Sequence, residues 1–184
     1  MIQNSHQSFT PYSDHIIFFD TEFSYLDPRK GELLSIGMIK PSGEELYLEF
    51  SIPVDVDPWV EEHVLPHLQG TKVSKQEAQK QIQSFCTPGY LSAGEKPYLV
   101  AYVNQFDAIF WYDLFASTKE HPAYWIPIDF ASILFGLGFD PNSMGKGSFF
   151  EFLGINKAQY RLHNALDDAR LLRDVYTALQ TLQK

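Results

Sequence analysis

The chain has 184 residues, with 14 Lys and Arg against 23 Asp and Glu, a formal charge of −9, and 45% hydrophobic residues. That length fits one domain, and that composition excludes disorder over most of it. The charge has the wrong sign for coating duplex DNA through its phosphates, although carboxylates that hold divalent cations reverse the potential locally. Cys86 is the lone cysteine; it cannot form an internal disulfide or a multi-cysteine metal site, which fits a reducing, cytoplasmic location. The longest wholly apolar run, Tyr98 to Val103, is too short to span a membrane. Residues 1–14 read as a polar N-terminal extension with no export signal, and 15–184 as a single domain.

Ile16 to Phe19 reads as a buried strand ending at Asp20, continuous in apolar character because both sheet faces are covered. The turn signal Asp27 to Gly31 separates it from a strand over Leu33 to Lys40, and Pro41-Ser42-Gly43 leads into a third over Glu45 to Ile52, a meander. Ser74 and Glu77 form a capping box that opens a helix to about Phe85, before a break at Pro88-Gly89. Tyr98 to Val103 reads as a fourth strand, Ala108 to Phe115 as a short buried helix, Ile126 to Ile128 as a fifth strand and Phe130 to Leu137 as another helix. A Gly-rich loop and a further short helix lead to the final one, Ala165 to about Leu182, with apolar residues at Ala165, Leu172, Val175, Tyr176 and Leu179. The order implies an α/β fold, a mixed sheet flanked by helices of the ribonuclease H-like class.

Acids punctuate these elements. Period-two alternation puts Asp20 and Glu22 on one face at the end of the first strand, either as a metal-binding pair or as solvated loop acids. Asp107 follows the fourth strand, as a ligand, a helix N-cap, or both. In the last helix Asp168 shares the apolar stripe of Leu171, Leu172, Val175 and Leu179, so it must be paired or metal-bound. Asp167 aligns with Arg170, Asp174 and Thr181, which predicts a solvated acid behind an Asn164 cap. His163 lies five residues before Asp168, and at about 100° per residue the two point apart if both are helical. The histidine is therefore expected on the loop entering the helix, as a general base or as a surface residue.

Asp20-x-Glu22, then Asp107, then His163-x-Ala165-x-x-Asp168 resembles the DEDDh 3′-to-5′ exonucleases. The chain is most similar to their RNase AS-like exoribonuclease branch through Asp-Thr-Glu-Phe at 20–23, Leu-Leu-Ser-Ile-Gly at 33–37 and Trp-Val-Glu-Glu-His-Val-Leu-Pro at 59–66. The resemblance runs from Ile16 to about Val175, with Asn104-Gln105-Phe106-Asp107 a looser version of the second motif. It implies a ribonuclease H-like exonuclease domain over 15–184, two Mg²⁺ or Mn²⁺ ions, a homodimer, and release of nucleoside 5′-monophosphates from single-stranded RNA 3′ ends, with DNA as the alternative. On this reading Asp20, Glu22 and Asp168 hold the first metal. Asp20 also reaches the second, Asp107 supports that one, and His163 deprotonates water.

Phe23, Trp59 and Phe106 are candidate stacking contacts for a terminal nucleotide, or core residues. His63 and His67 have helical zinc spacing, but Pro66 intervenes, and Gly145-Lys146-Gly147-Ser148 departs from a phosphate loop. A phosphatase of the haloacid dehalogenase type fits less well, because Glu22 replaces its second aspartate. A decayed nuclease domain that only binds RNA or protein would not need all five reactive residues.

Overall fold

The computed structural model describes residues 15–87, 95–115 and 120–182. The extension 1–14 and the Pro88-Gly89 break lie outside them. Strands β1 (Ile16–Phe23), β2 (Leu33–Ile39) and β3 (Glu45–Glu49) form the expected antiparallel meander. β4 (Tyr98–Ala101) and β5 (Ile128–Asp129) add in parallel on the other side of β1, giving the order β3-β2-β1-β4-β5. Strand alternation divides the core. Ile17 and Phe19 face helices α2 (Lys75–Cys86) and α3 (Gln105–Leu114), whereas Ile16 and Phe18 face α4 (Phe130–Gly136), α5 (Gly147–Leu153) and α6 (Ala165–Thr181). This is a mixed five-stranded sheet flanked by helices. No helix among the described residues is long and apolar enough to cross a membrane.

Several boundaries differ from the expected ones for local reasons. A short helix, α1 (Pro58–His63), was not foreseen; the Asp57 side chain caps it by accepting from Trp59 N at 2.9 Å, and Pro58 fills its first turn, where a missing N–H costs nothing. β3 stops at Glu49 instead of Ile52, and β4 stops at Ala101 because Val103 turns the backbone to φ 59°. α3 starts at Gln105, so Asp107 sits inside its first turn and is not the N-cap; that position is Asn104, whose side chain donates instead to the Ile128 carbonyl at 2.9 Å. β5 is shifted to Ile128–Asp129, preceded by Pro127, which has no N–H for a ladder. The capping box forms, with Ser74 Oγ accepting from Glu77 N at 3.2 Å.

Gly37 sets how closely α6 approaches the sheet. It pairs with Asp20 across β1 and β2. A Cβ built there would lie 2.3 Å from Ala165 C and from Leu166 N. Only a residue without a side chain lets the start of α6 lie directly over the C-terminal end of β1.

Candidate active site

β1 delivers two carboxylates to the α6 side of the sheet. Asp20 and Glu22 alternate with Thr21, whose hydroxyl points the other way and is buried. That hydroxyl explains how a third acid is fixed: Thr21 N–H and Oγ1–H both donate to Asp107 Oδ1 at 2.8 Å. Thr21 was not among the expected site residues. Its signal was a lone hydroxyl in an apolar strand, which burial obliges to find a partner.

α6 brings Asp168. Its Oδ2 accepts the His163 backbone N–H at 2.8 Å, and its own N–H donates to the Asn164 carbonyl at 2.9 Å. His163 precedes the Asn164 cap, as the helical geometry requires, with a left-handed φ of 63°. A carboxylate oxygen of Glu22, one of Asp168 and a His163 ring nitrogen all lie within 4.8 Å of one another. Asp20, Glu22, Asp107, His163 and Asp168 line one open cavity of about 180 Å³. Val103 and His163 are the only non-glycine residues of positive φ among the described residues, and both line this cavity.

One expectation fails. Asp167 is not the solvated acid: it is 6% exposed and paired with Arg161 Nε at 2.8 Å and Arg170 Nη1 at 2.5 Å. The helical wheel treats α6 alone, whereas the 160–163 segment folds back over that flank and Arg170 reaches across from it to Glu45 on β3. The stripe residues Leu171, Leu172, Val175 and Leu179 are buried as expected, with Asp168 half-buried at their head.

The aromatic candidates border the acids. Phe23 stacks on Phe110 (centroids 4.6 Å apart, 16° between planes) and on Phe106 (6.1 Å, 25°). Trp59, 48% exposed, lies flat against His63 at 4.6 Å and meets His163 edge-on at 4.8 Å. His63 Nδ1 is 2.8 Å from the Trp59 carbonyl oxygen, a bond that serves this stack. Trp59 and Phe23 line a second, apolar cavity of about 380 Å³, and Glu22, Phe23 and His163 form a wall common to both cavities. Phe106 lines only the acidic one of these two. Lys146, in the glycine-rich segment, is ion-paired with Asp140.

Electrostatics shows what the acids lack. Burial, then repulsion from Asp107, Asp168 and Glu22, holds Asp20 well above the usual carboxyl range, and burial with Asp168 and Asp107 does the same to Glu22. Burial pushes Asp107 up to about 7 against the Thr21 hydrogen bonds, and Asp168 up to about 7 against the His163 N–H. His163 is lowered by burial and then by His63, His67 and Lys157. An all-oxygen set of mutually repelling carboxyls fits a hard divalent cation such as Mg²⁺ or Mn²⁺. Asp20, Glu22, Asp107 and Asp168 are the residues that would hold it.

A pH effect follows. Carboxyls whose folded pKa lies above the unfolded value of about 3.9 contribute stability that is full below that value and lost as pH rises through about 7. His121 and His163, both lowered, act with the opposite sign, and their loss sets in only below about 6.5. The metal-free protein is therefore expected to melt at a lower temperature at pH 8 than at pH 6.5, with Mg²⁺ restoring more at pH 8. Calorimetry with and without chelator checks this, and a metal-free melting temperature that rises toward pH 8 refutes it.

No protein-family model matches the chain, and no match is found among curated proteins. Solved structures do match. An exonuclease I structure is 15% identical over 90% of this chain and 40% of that one, with a TM-score of 0.64. A zinc-bound complex of E. coli exonuclease I with single-stranded DNA is 16% identical over 91% and 41%, TM-score 0.64. E. coli exonuclease I with a dA16 oligonucleotide is 14% identical over 90% and 40%, TM-score 0.61. The chain has the ribonuclease H-like exonuclease fold. It spans about two-fifths of the length of the structures it matches.

Proposed function

We propose that the protein is a metal-dependent 3′-to-5′ exonuclease that releases nucleoside 5′-monophosphates from single strands, with RNA as its substrate. The observation that carries this is the meeting of Asp20, Glu22, Asp107, Asp168 and His163 at one cavity that shares a wall with an apolar, aromatic-lined one. Four acids alone would repel a phosphodiester. Asp20, Glu22 and Asp168 would hold one cation, and Asp20 with Asp107 a second. Such ions, when bound, stabilise the charge on the attacking and departing oxygens of an in-line displacement. His163 takes the proton of the attacking water, its lowered pKa keeping the ring neutral and able to accept at pH 7. Phe23 and Trp59 offer ring faces to the terminal base, and Phe106 to its neighbour, each stack worth about 1 to 3 kcal/mol with little base preference.

The RNA reading rests on the RNase AS-like motifs at 20–23, 33–37 and 59–66, and the same resemblance supports a homodimer. A second reading, single-stranded DNA, is favoured by the fold neighbours that were solved with DNA oligonucleotides. Matched 5′-labelled RNA and DNA strands incubated with Mg²⁺, Mn²⁺ or chelator decide between them. The expected result is a ladder shortening from the 3′ end, faster on RNA and stopped by chelator. Phosphate release from p-nitrophenyl phosphate with no ladder would favour a phosphatase, and strand binding without cleavage a non-catalytic domain.

A further inference from the structure

Arg161 and Asp167 lie outside the five reactive residues, yet both are tied to the segment that carries His163. Asp167 Oδ2 accepts from Arg161 Nε at 2.8 Å and from the Arg161 backbone N–H at 3.3 Å. Asp167 Oδ1 accepts from Arg170 Nη1 at 2.5 Å, and Arg170 grips Glu45 on β3 through Nε (2.7 Å) and Nη2 (2.5 Å). The Asp167 N–H donates to Asn164 Oδ1 at 3.2 Å. A continuous polar chain thus runs from the sheet, through the first turn of α6, to a point two residues before the histidine.

Between these anchors His163 adopts φ 63°, a conformation that residues other than glycine keep only when their surroundings over-determine it. Its N–H bond to Asp168 holds it from inside the site, and the Arg161–Asp167 contact holds the segment from outside. Helix capping does not need Asp167, because Asn164 supplies the cap. A buried acid that binds the preceding segment through both a side chain and a backbone N–H has the geometry of a fastening.

We infer that Arg161 and Asp167 are positioning residues, a clasp that keeps the His163 ring aimed at the attacking water. This deepens the exonuclease reading and rests on it. Arg161 has a side chain 66% exposed, so the alternative is a direct contact to a strand phosphate. The two roles differ in kinetics: misaiming a base lowers kcat, whereas losing a phosphate contact raises KM.

The test uses the full chain with 5′-labelled RNA and Mg²⁺, comparing Arg161→Ala, Asp167→Asn and the double variant, with Asp168→Asn as control. Each single variant is expected to lower kcat about tenfold or more while KM and the Mg²⁺ requirement stay unchanged. The double variant is expected to be no slower than the slower single one, as for residues that act through one contact. In the metal-free protein the His163 ring resonance, assigned with His163→Asn, is expected to broaden or split in Arg161→Ala. A raised KM with unchanged kcat, losses that multiply in the double variant, or wild-type kcat in both singles would overturn the clasp. Arg161→Ala decides if Asp167→Asn folds poorly, because its side chain is outside the core. Strand shortening that survives Asp168→Asn, or is absent from the wild type, defeats the exonuclease reading instead; an unchanged His163 resonance still defeats the clasp in that event.

Discussion

Asp168→Asn is expected to abolish metal-dependent strand shortening while raising the melting temperature of the metal-free protein at pH 8. The substitution keeps the shape and leaves an oxygen to accept the His163 N–H, so the turn into α6 survives. What it removes is a charge that burial holds near a pKa of about 7 and that in turn raises Asp20, Glu22 and Asp107. Relieving that repulsion at pH 8 stabilises the fold by on the order of a few kcal/mol, at about 2 to 4 °C per kcal/mol. Cation binding should weaken in parallel, which titration calorimetry with Mn²⁺ reads directly. Activity and stability thus move in opposite directions, a signature that ordinary structural damage does not give. Undiminished turnover in this variant would remove Asp168 from the reaction.

The second large effect is at His163. His163→Ala is expected to lower kcat by about 10²- to 10⁴-fold, the usual range for a positioned base, with cation affinity retained. Alanine is poorly suited to φ 63°, so His163→Asn serves beside it, since asparagine tolerates the left-handed region. Equal losses in the two variants place the effect in the imidazole and not in the backbone. Because Glu22, Asp168 and His163 stand close enough to share an ion, a loss of cation affinity would recast the histidine as a ligand.

Much of this site was legible before any coordinates because its placement follows from two periodicities. Alternation put Asp20 and Glu22 on one face of β1, and the stripe on α6 pointed Asp168 toward them, although it wrongly left Asp167 to solvent. The meander, the Ser74 capping box and the position of His163 before its helix followed from equally local rules. What was not legible depended on groups distant in the chain. Asp107 is held by Thr21, 86 residues away. Asp167 is buried because the 160–163 segment folds over it and Arg170 spans to Glu45. The Thr21 hydroxyl marks a break in the apolar strand but does not name its partner, and the Asp167 contacts leave no mark on hydrophobic pattern. The closeness of α6 to β1 depends on Gly37, which in sequence is only a glycine within an apolar strand. The choice between ribose and deoxyribose depends on the immediate surroundings of a bound sugar, on which periodicity is silent.

Val103 turns the chain between β4 and α3 in a backbone state that a β-branched side chain resists by about 1 to 2 kcal/mol. Glycine would relax that position, so selection for heat resistance alone would favour it. On the exonuclease reading proposed above, the same change would also loosen the turn that delivers Asp107 to Thr21, so Val103→Gly is expected to gain endurance and lose turnover together.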